Sequence, residues 1–149
     1  MDNMASLRLM NDRLGQALQA VVADLDDAQL AYAAQAVDPR PIGALTAHAY
    51  SRLLGAAYLA AGRPWPEDPP PPHSTAAALT LIEEMRSEVD LLLSALPAES
   101  LAGLITLPRG GRSARVDALV DGLQYGFLHA GRLAGIRAVG GFPNTLDES

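Results

Sequence analysis

Apolar residues recur at three- and four-residue steps from the start of the chain. Leu7, Met10, Leu14, Leu18, Val21, Val22 and Leu25 line one side of a helix that the spacing predicts from about Met4 to Leu25. Asp24, Asp26 and Asp27 then supply turn or capping chemistry. The two prolines of Asp38-Pro39-Arg40-Pro41 stop any helix. Pro41 suits the first turn of a second helix, expected from about Pro41 to Ala61, in which Ile42, Leu45, Ala49, Leu53, Ala56 and Leu59 keep the helical step.

Gly62 closes that helix, and Arg63 to Pro72 contains six prolines, too many for a helix or an inner strand. An extended, stiff crossover is expected there, in preference to a motif for proline-binding modules. Its Trp65 is placed to anchor the segment or to line a pocket edge. Ser74 or Thr75 caps a third predicted helix running to about Leu96, with Leu79, Ile82, Met85, Val89, Leu92 and Leu93 as its buried stripe. Pro97 stops it. Leu101 to Leu107 is short and apolar, and Pro108-Arg109-Gly110-Gly111-Arg112 reads as a turn. Ser113 is the expected cap of a last long helix reaching about Val139, closed by Gly140-Gly141 and Pro143. Four main helices and no clear strand predict an all-α four-helix bundle with a long proline-rich crossover. Residues 1–149 form a single domain in this reading, with a frayed tail over 144–149.

Composition supports that class. The 149 residues are 49% hydrophobic but only 5% aromatic, so alanine and leucine must fill the core, the vocabulary of packed helices. A net charge of −6 argues against nucleic acid and disfavours an anionic membrane surface. With no cysteine there is no disulfide, no Cys-type zinc site and no thiol nucleophile, so thiol chemistry would need a small-molecule thiol. The apolar run Ile42 to Ala61 carries His48 and Arg52 midway and reads as a core helix, not a membrane span. The N-terminus shows no charged-then-apolar signal pattern, and a cytoplasmic protein is expected.

Candidate chemistry lies in two helical stretches, Leu45-Thr46-Ala47-His48 and Tyr125 to Leu133. Residues four apart on a helix are separated by about 40° of rotation, so Tyr125 and His129 share a face. If the second and last helices pack together, His48 can converge with them. Divalent ions are commonly held by three protein ligands with a fourth position open, and His48 and His129 supply two. Tyr125 is a weak zinc ligand unless ionised, and Asp121 would approach from about 80° round the helix. A lone histidine on an apolar face is more often a hydrogen-bonded core residue. His73, in the proline-rich segment, is expected to be exposed. Arg109, Arg112 and Arg115 are candidates for an anion or are simply solvated. Gly122, Gly126, Gly131 and Gly135 weaken the last helix by about 1 kcal/mol each, so close packing or an open space beside His129 must compensate.

Pro41-Ile42-Gly43-Ala44-Leu45-Thr46-Ala47-His48, together with Tyr125 through Leu133 and the following Arg137 and Gly140, resembles the DinB-like (DinB/YfiT-like) superfamily. The resemblance covers most of the chain. It implies a four-helix bundle with a long crossover, a homodimer, and a divalent metal such as zinc or nickel held by three histidines between helices. Some relatives transfer small thiols such as bacillithiol or mycothiol, or isomerise maleylpyruvate with such a thiol. His48 and His129 match two of the metal ligands, and the third position falls on Tyr125. Arg132 stands where glutamine is frequent and would place a cation beside the site.

Two functional expectations follow from the match and its exception. One is a small-ligand binding or interaction protein that has lost the metal, with Tyr125 hydrogen-bonded to His48 or His129. Its pocket would be rimmed by His48, Tyr125, His129 and Arg132. The other is a metal-dependent thiol transferase or isomerase, with Tyr125, Asp121 or water completing the shell and Arg52 or Arg132 holding an acidic substrate.

Overall fold

The computed structural model describes residues 2–144. Helix α1 (Asn3–Val22) starts at Asp2, whose carboxylate accepts from the Ala5 amide at 2.7 Å. A single 3-10 turn, Gln29–Ala31, leads towards α2 (Ile42–His48) and α3 (Ser51–Ala60). The crossover follows without helix or strand. Helix α4 (Thr75–Ala95) opens on Ser74, whose hydroxyl accepts from the Ala77 amide at 3.0 Å, as its sequence position predicts. Thr75 also ties this end to the turn that follows α1: its hydroxyl donates to the Leu25 carbonyl and its amide to Asp27. A second 3-10 turn, Ala98–Ala102, precedes strands β1 (Leu104–Thr106) and β2 (Arg112–Ala114), and α5 (Arg115–Val139) completes the fold.

The bundle expected from periodicity is present, with local corrections. The second predicted helix is interrupted at Ala49–Tyr50 and forms α2 and α3. Neither residue is Gly or Pro; Tyr50 is fully buried with φ −89° and ψ −3°, and its hydroxyl reaches the Asn11 carbonyl of α1. That cross-helix anchor has no periodic signature. The first helix ends at Val22, short of Leu25, and Asp24 pairs with Arg137 instead of capping a turn. The segment expected to be a plain turn is an antiparallel hairpin in which Ile105 pairs with Ser113. Ser113 therefore lies in β2, and α5 begins after Ala114 with no side-chain cap. Of the tail, Asn144 is buried, and 145–149 lie outside the described residues.

Helix α5 packs along α3 and α1, and α1 along α4. Leu14, Leu18, Leu45, Leu53, Ile82, Leu93, Leu119 and Leu133 are almost wholly buried where these helices meet. Each such side chain contributes about 1.5–3 kcal/mol relative to exposure. The glycines of α5 divide into two kinds. Gly122 faces the Leu53 backbone of α3 so closely that a Cβ would collide with it, and Gly126 faces the Leu14 side chain. Gly131 and Gly135 have no neighbouring atom within 4 Å of a Cβ position. Close packing thus explains the first pair alone. Among the described residues, no helix is long and apolar enough to cross a membrane.

Candidate functional site

The α3–α5 contact that Gly122 permits brings the two histidine segments together. His48 is the last residue of α2, Arg52 lies in the first turn of α3, and Tyr125 and His129 stand one turn apart on α5. Ring centroids of His48 and His129 are 5.5 Å apart, and the Tyr125 ring lies 4.3 Å from His129 at a 37° tilt. Tyr125 thus covers His129 and meets His48 edge-on, with ring centroids 5.8 Å apart.

A linear chain of polar contacts crosses the site. Asp68, from the proline-rich crossover, lies 2.7 Å from His48 Nδ1, and the Tyr125 hydroxyl lies 2.8 Å from His48 Nε2. With the Asp68 carboxylate accepting from Nδ1–H, Nε2 of a neutral ring accepts the Tyr125 O–H. The Arg52 guanidinium sits 4.1 Å above the Tyr125 ring centroid, a cation–π contact. Its nearest carboxylate, Asp121, is 3.6 Å away.

His129 is 1% exposed, and neither of its ring nitrogens has a hydrogen-bond partner among the described residues. Burial, then the charges of His48, Arg132 and Arg40, lower its pKa to about 4, so the ring is neutral near pH 7. Arg132 and Arg40 converge on buried Asp38, at 3.5 Å and 2.9 Å respectively. The hydrogen bonds from Arg40 hold the Asp38 carboxyl far below the usual carboxylate range. These arginines give the floor of the site a positive bias.

The expected pocket rim is therefore only partly the observed one. His129 lies beneath Tyr125 instead of on the rim, and Arg132 turns to Asp38, because three residues from His129 is about 60° round the helix. Asp121 is exposed and approaches Arg52. The cleft, of about 410 Å³, is lined by His48, Ser51, Arg52, Trp65, Pro66, Asp68, Arg109 and Tyr125. Trp65 lines it as anticipated and also packs against Gly55, where any side chain would collide with the indole. Of the turn arginines, Arg115 instead donates to the Ala60 and Ser100 carbonyls. His73 is exposed. Asp68 was not singled out in the sequence, since a carboxylate among prolines carries no periodic signal. Arg137, two turns beyond His129, is 2% exposed and bridges Asp24, the Val21 carbonyl and the Phe142 carbonyl, which makes it a fastener of the bundle.

A metal ion held by three strong ligands does not fit this donor set. Two imidazoles are available, but Nε2 of His48 is engaged by a phenol, and a neutral phenol is a poor donor to zinc. Among the described residues, no group of three or more His, Cys, Asp and Glu side chains is placed to hold a metal ion.

No curated protein matches the chain. The model of the DinB superfamily matches residues 10–130, which include α2, α3, α4 and both histidines of the site. With the helical bundle and the paired His48 and His129 segments already in place, that match shows that the chain belongs to the DinB superfamily.

Proposed function

We propose that this protein is a small-ligand binding member of its superfamily in which the metal position has become a hydrogen-bonded His48–Tyr125 pair. The observation that carries this reading is the 2.8 Å contact between the Tyr125 hydroxyl and His48 Nε2. A phenol at the third ligand position satisfies the imidazole that a metal would otherwise take. The cationic floor beneath it, from Arg40 and Arg132, favours an anion over a cation. The chain's own residues then bind and orient: Arg52 offers donors, Tyr125 and His48 form a fixed polar wall, and Trp65 supplies apolar surface. Zinc and nickel titrations of protein purified without a metal column test this reading. Stoichiometric tight binding would overturn it.

The competing reading, a metal-dependent thiol transferase or isomerase, draws on one observation. Metal-bound imidazoles commonly give their second nitrogen to a carboxylate, and Asp68 meets His48 Nδ1 in that manner.

We also propose the homodimer that the resemblance implies. Between α1 and α5 runs an apolar groove of about 590 Å³ lined by Leu7, Met10, Val120, Leu123, Phe127 and Leu128 among others. Leu128 is 58% exposed on it, which suits a surface covered by a second copy.

A further inference from the structure

The His48–Tyr125 cleft does not end at Tyr125. A neighbouring cleft of about 550 Å³ shares Arg52, Trp65 and Arg109 with it and continues over Ala56, Leu107, Pro108 and Ala118. The two form one groove with Arg52, Trp65 and Arg109 at its waist. One end is polar, and the other is bordered by apolar side chains with Asp117 and Asp121 along it.

The two waist arginines are not engaged as the bundle's fastening arginines are. Arg8, Arg40, Arg86 and Arg137 each make close ion pairs at hydrogen-bond distance. Arg52 makes no hydrogen bond among the described residues; its 3.6 Å approach to Asp121 exceeds that range. Arg109 has no hydrogen bond, ion pair or ring contact among the described residues. What sets Arg52 and Arg109 apart is their place: both line the same groove with guanidinium donors that no hydrogen bond takes up, an arrangement suited to an anion.

We infer that this groove binds a small monocarboxylate with a planar apolar body, its carboxylate between Arg52 and Arg109 and its body along Trp65. The inference rests on the reading of the site as a ligand pocket. Arginine forks match carboxylates and phosphates alike, and the surrounding charge decides between them. Asp68, Asp117 and Asp121 line the same groove, from the crossover and α5, so a dianion meets more repulsion than a monoanion. Trp65, fixed against Gly55 and 37% exposed, supplies the aromatic surface.

Trp65 is the only tryptophan, so its fluorescence reports on the groove directly. Titrations with benzoate, benzyl alcohol, phenyl phosphate and inorganic phosphate should show a saturable response to benzoate, with the other three weaker. Arg52→Gln and Arg109→Gln should each weaken benzoate binding about tenfold, whereas Arg112→Gln on the same hairpin should not. Equal binding of benzyl alcohol, or indifference to both arginine substitutions, would overturn the anion site. Phenyl phosphate binding as tightly as benzoate would overturn the monocarboxylate. No response to benzoate in protein that also binds no zinc overturns this inference alone. A benzoate response that requires stoichiometric zinc overturns the reading beneath it and keeps the anion site.

Discussion

Tyr125 and His48 are joined hydroxyl to Nε2 at 2.8 Å, across the interface of α5 with the end of α2. The phenol thereby occupies the nitrogen that would complete a metal shell with His129. Replacing Tyr125 with histidine would put a third imidazole one turn from His129, facing His48. We predict that Tyr125→His gains zinc affinity over the native protein, measured by calorimetry on metal-free samples. No gain would mean that the helices do not present these positions to a common point.

The spacing between α3 and α5 rests on Gly122. Its missing Cβ is opposite the Leu53 backbone, which cannot yield as a side chain could. Gly122→Ala should therefore destabilise the fold by about 1–3 kcal/mol through overpacking. Gly131→Ala, on the same helix with no neighbour to strike, should stabilise by about 0.5–1 kcal/mol. Denaturant unfolding of the two variants makes the comparison, and effects of the same sign would contradict the packing described.

His129 gives stability a pH dependence of definite sign. The unfolded chain takes up a proton near the ordinary histidine pKa, whereas the folded chain resists until about pH 4. The unfolded state thus binds more protons between those values, and stability falls as pH falls through that window. The loss from His129 between pH 7 and pH 5 should be about 2 kcal/mol. Carboxylates held low by arginines, such as Asp24 and Asp90, act mainly below that range. His129→Leu should flatten the slope, read from urea midpoints at the two pH values.

If the α1–α5 groove is covered by a second copy, a charge at its most exposed leucine should separate the copies. Leu128→Glu is expected to halve the mass measured by light scattering after size exclusion and to leave helix content unchanged by circular dichroism. A native protein that is already monomeric would contradict the proposed dimer.

Long helices and their stripes were legible because a buried face repeats every three or four residues, as Leu7, Leu14, Leu18 and Val21 do in α1. The interruption at Ala49–Tyr50 was not, since neither residue is a helix breaker and the Tyr50 hydroxyl finds its partner, the Asn11 carbonyl, only across the folded bundle. Strands of three residues are too short for alternation to register, which hid the β1–β2 pairing. Within the site, His48, Tyr125 and His129 followed from motif and spacing. Asp68 and the Asp38–Arg40–Arg132 cluster required the chain to be folded, because their partners lie on other elements or point from an unsuspected helix face.

The crossover that delivers Asp68 sets a length as well as a connection. Its prolines fix φ before folding, so the segment surrenders little conformational freedom when it docks. In an extended proline run, each residue advances the chain by about 3.1 Å, more than a hydrogen bond spans. Deleting one proline from Pro69 to Pro72 would therefore mis-set the register between Asp68 and the start of α4 at Thr75. The change would reach the site through Asp68, whose carboxylate meets one nitrogen of the His48 ring while Tyr125 holds the other, so the length of the crossover bears on a contact made far from its own ends.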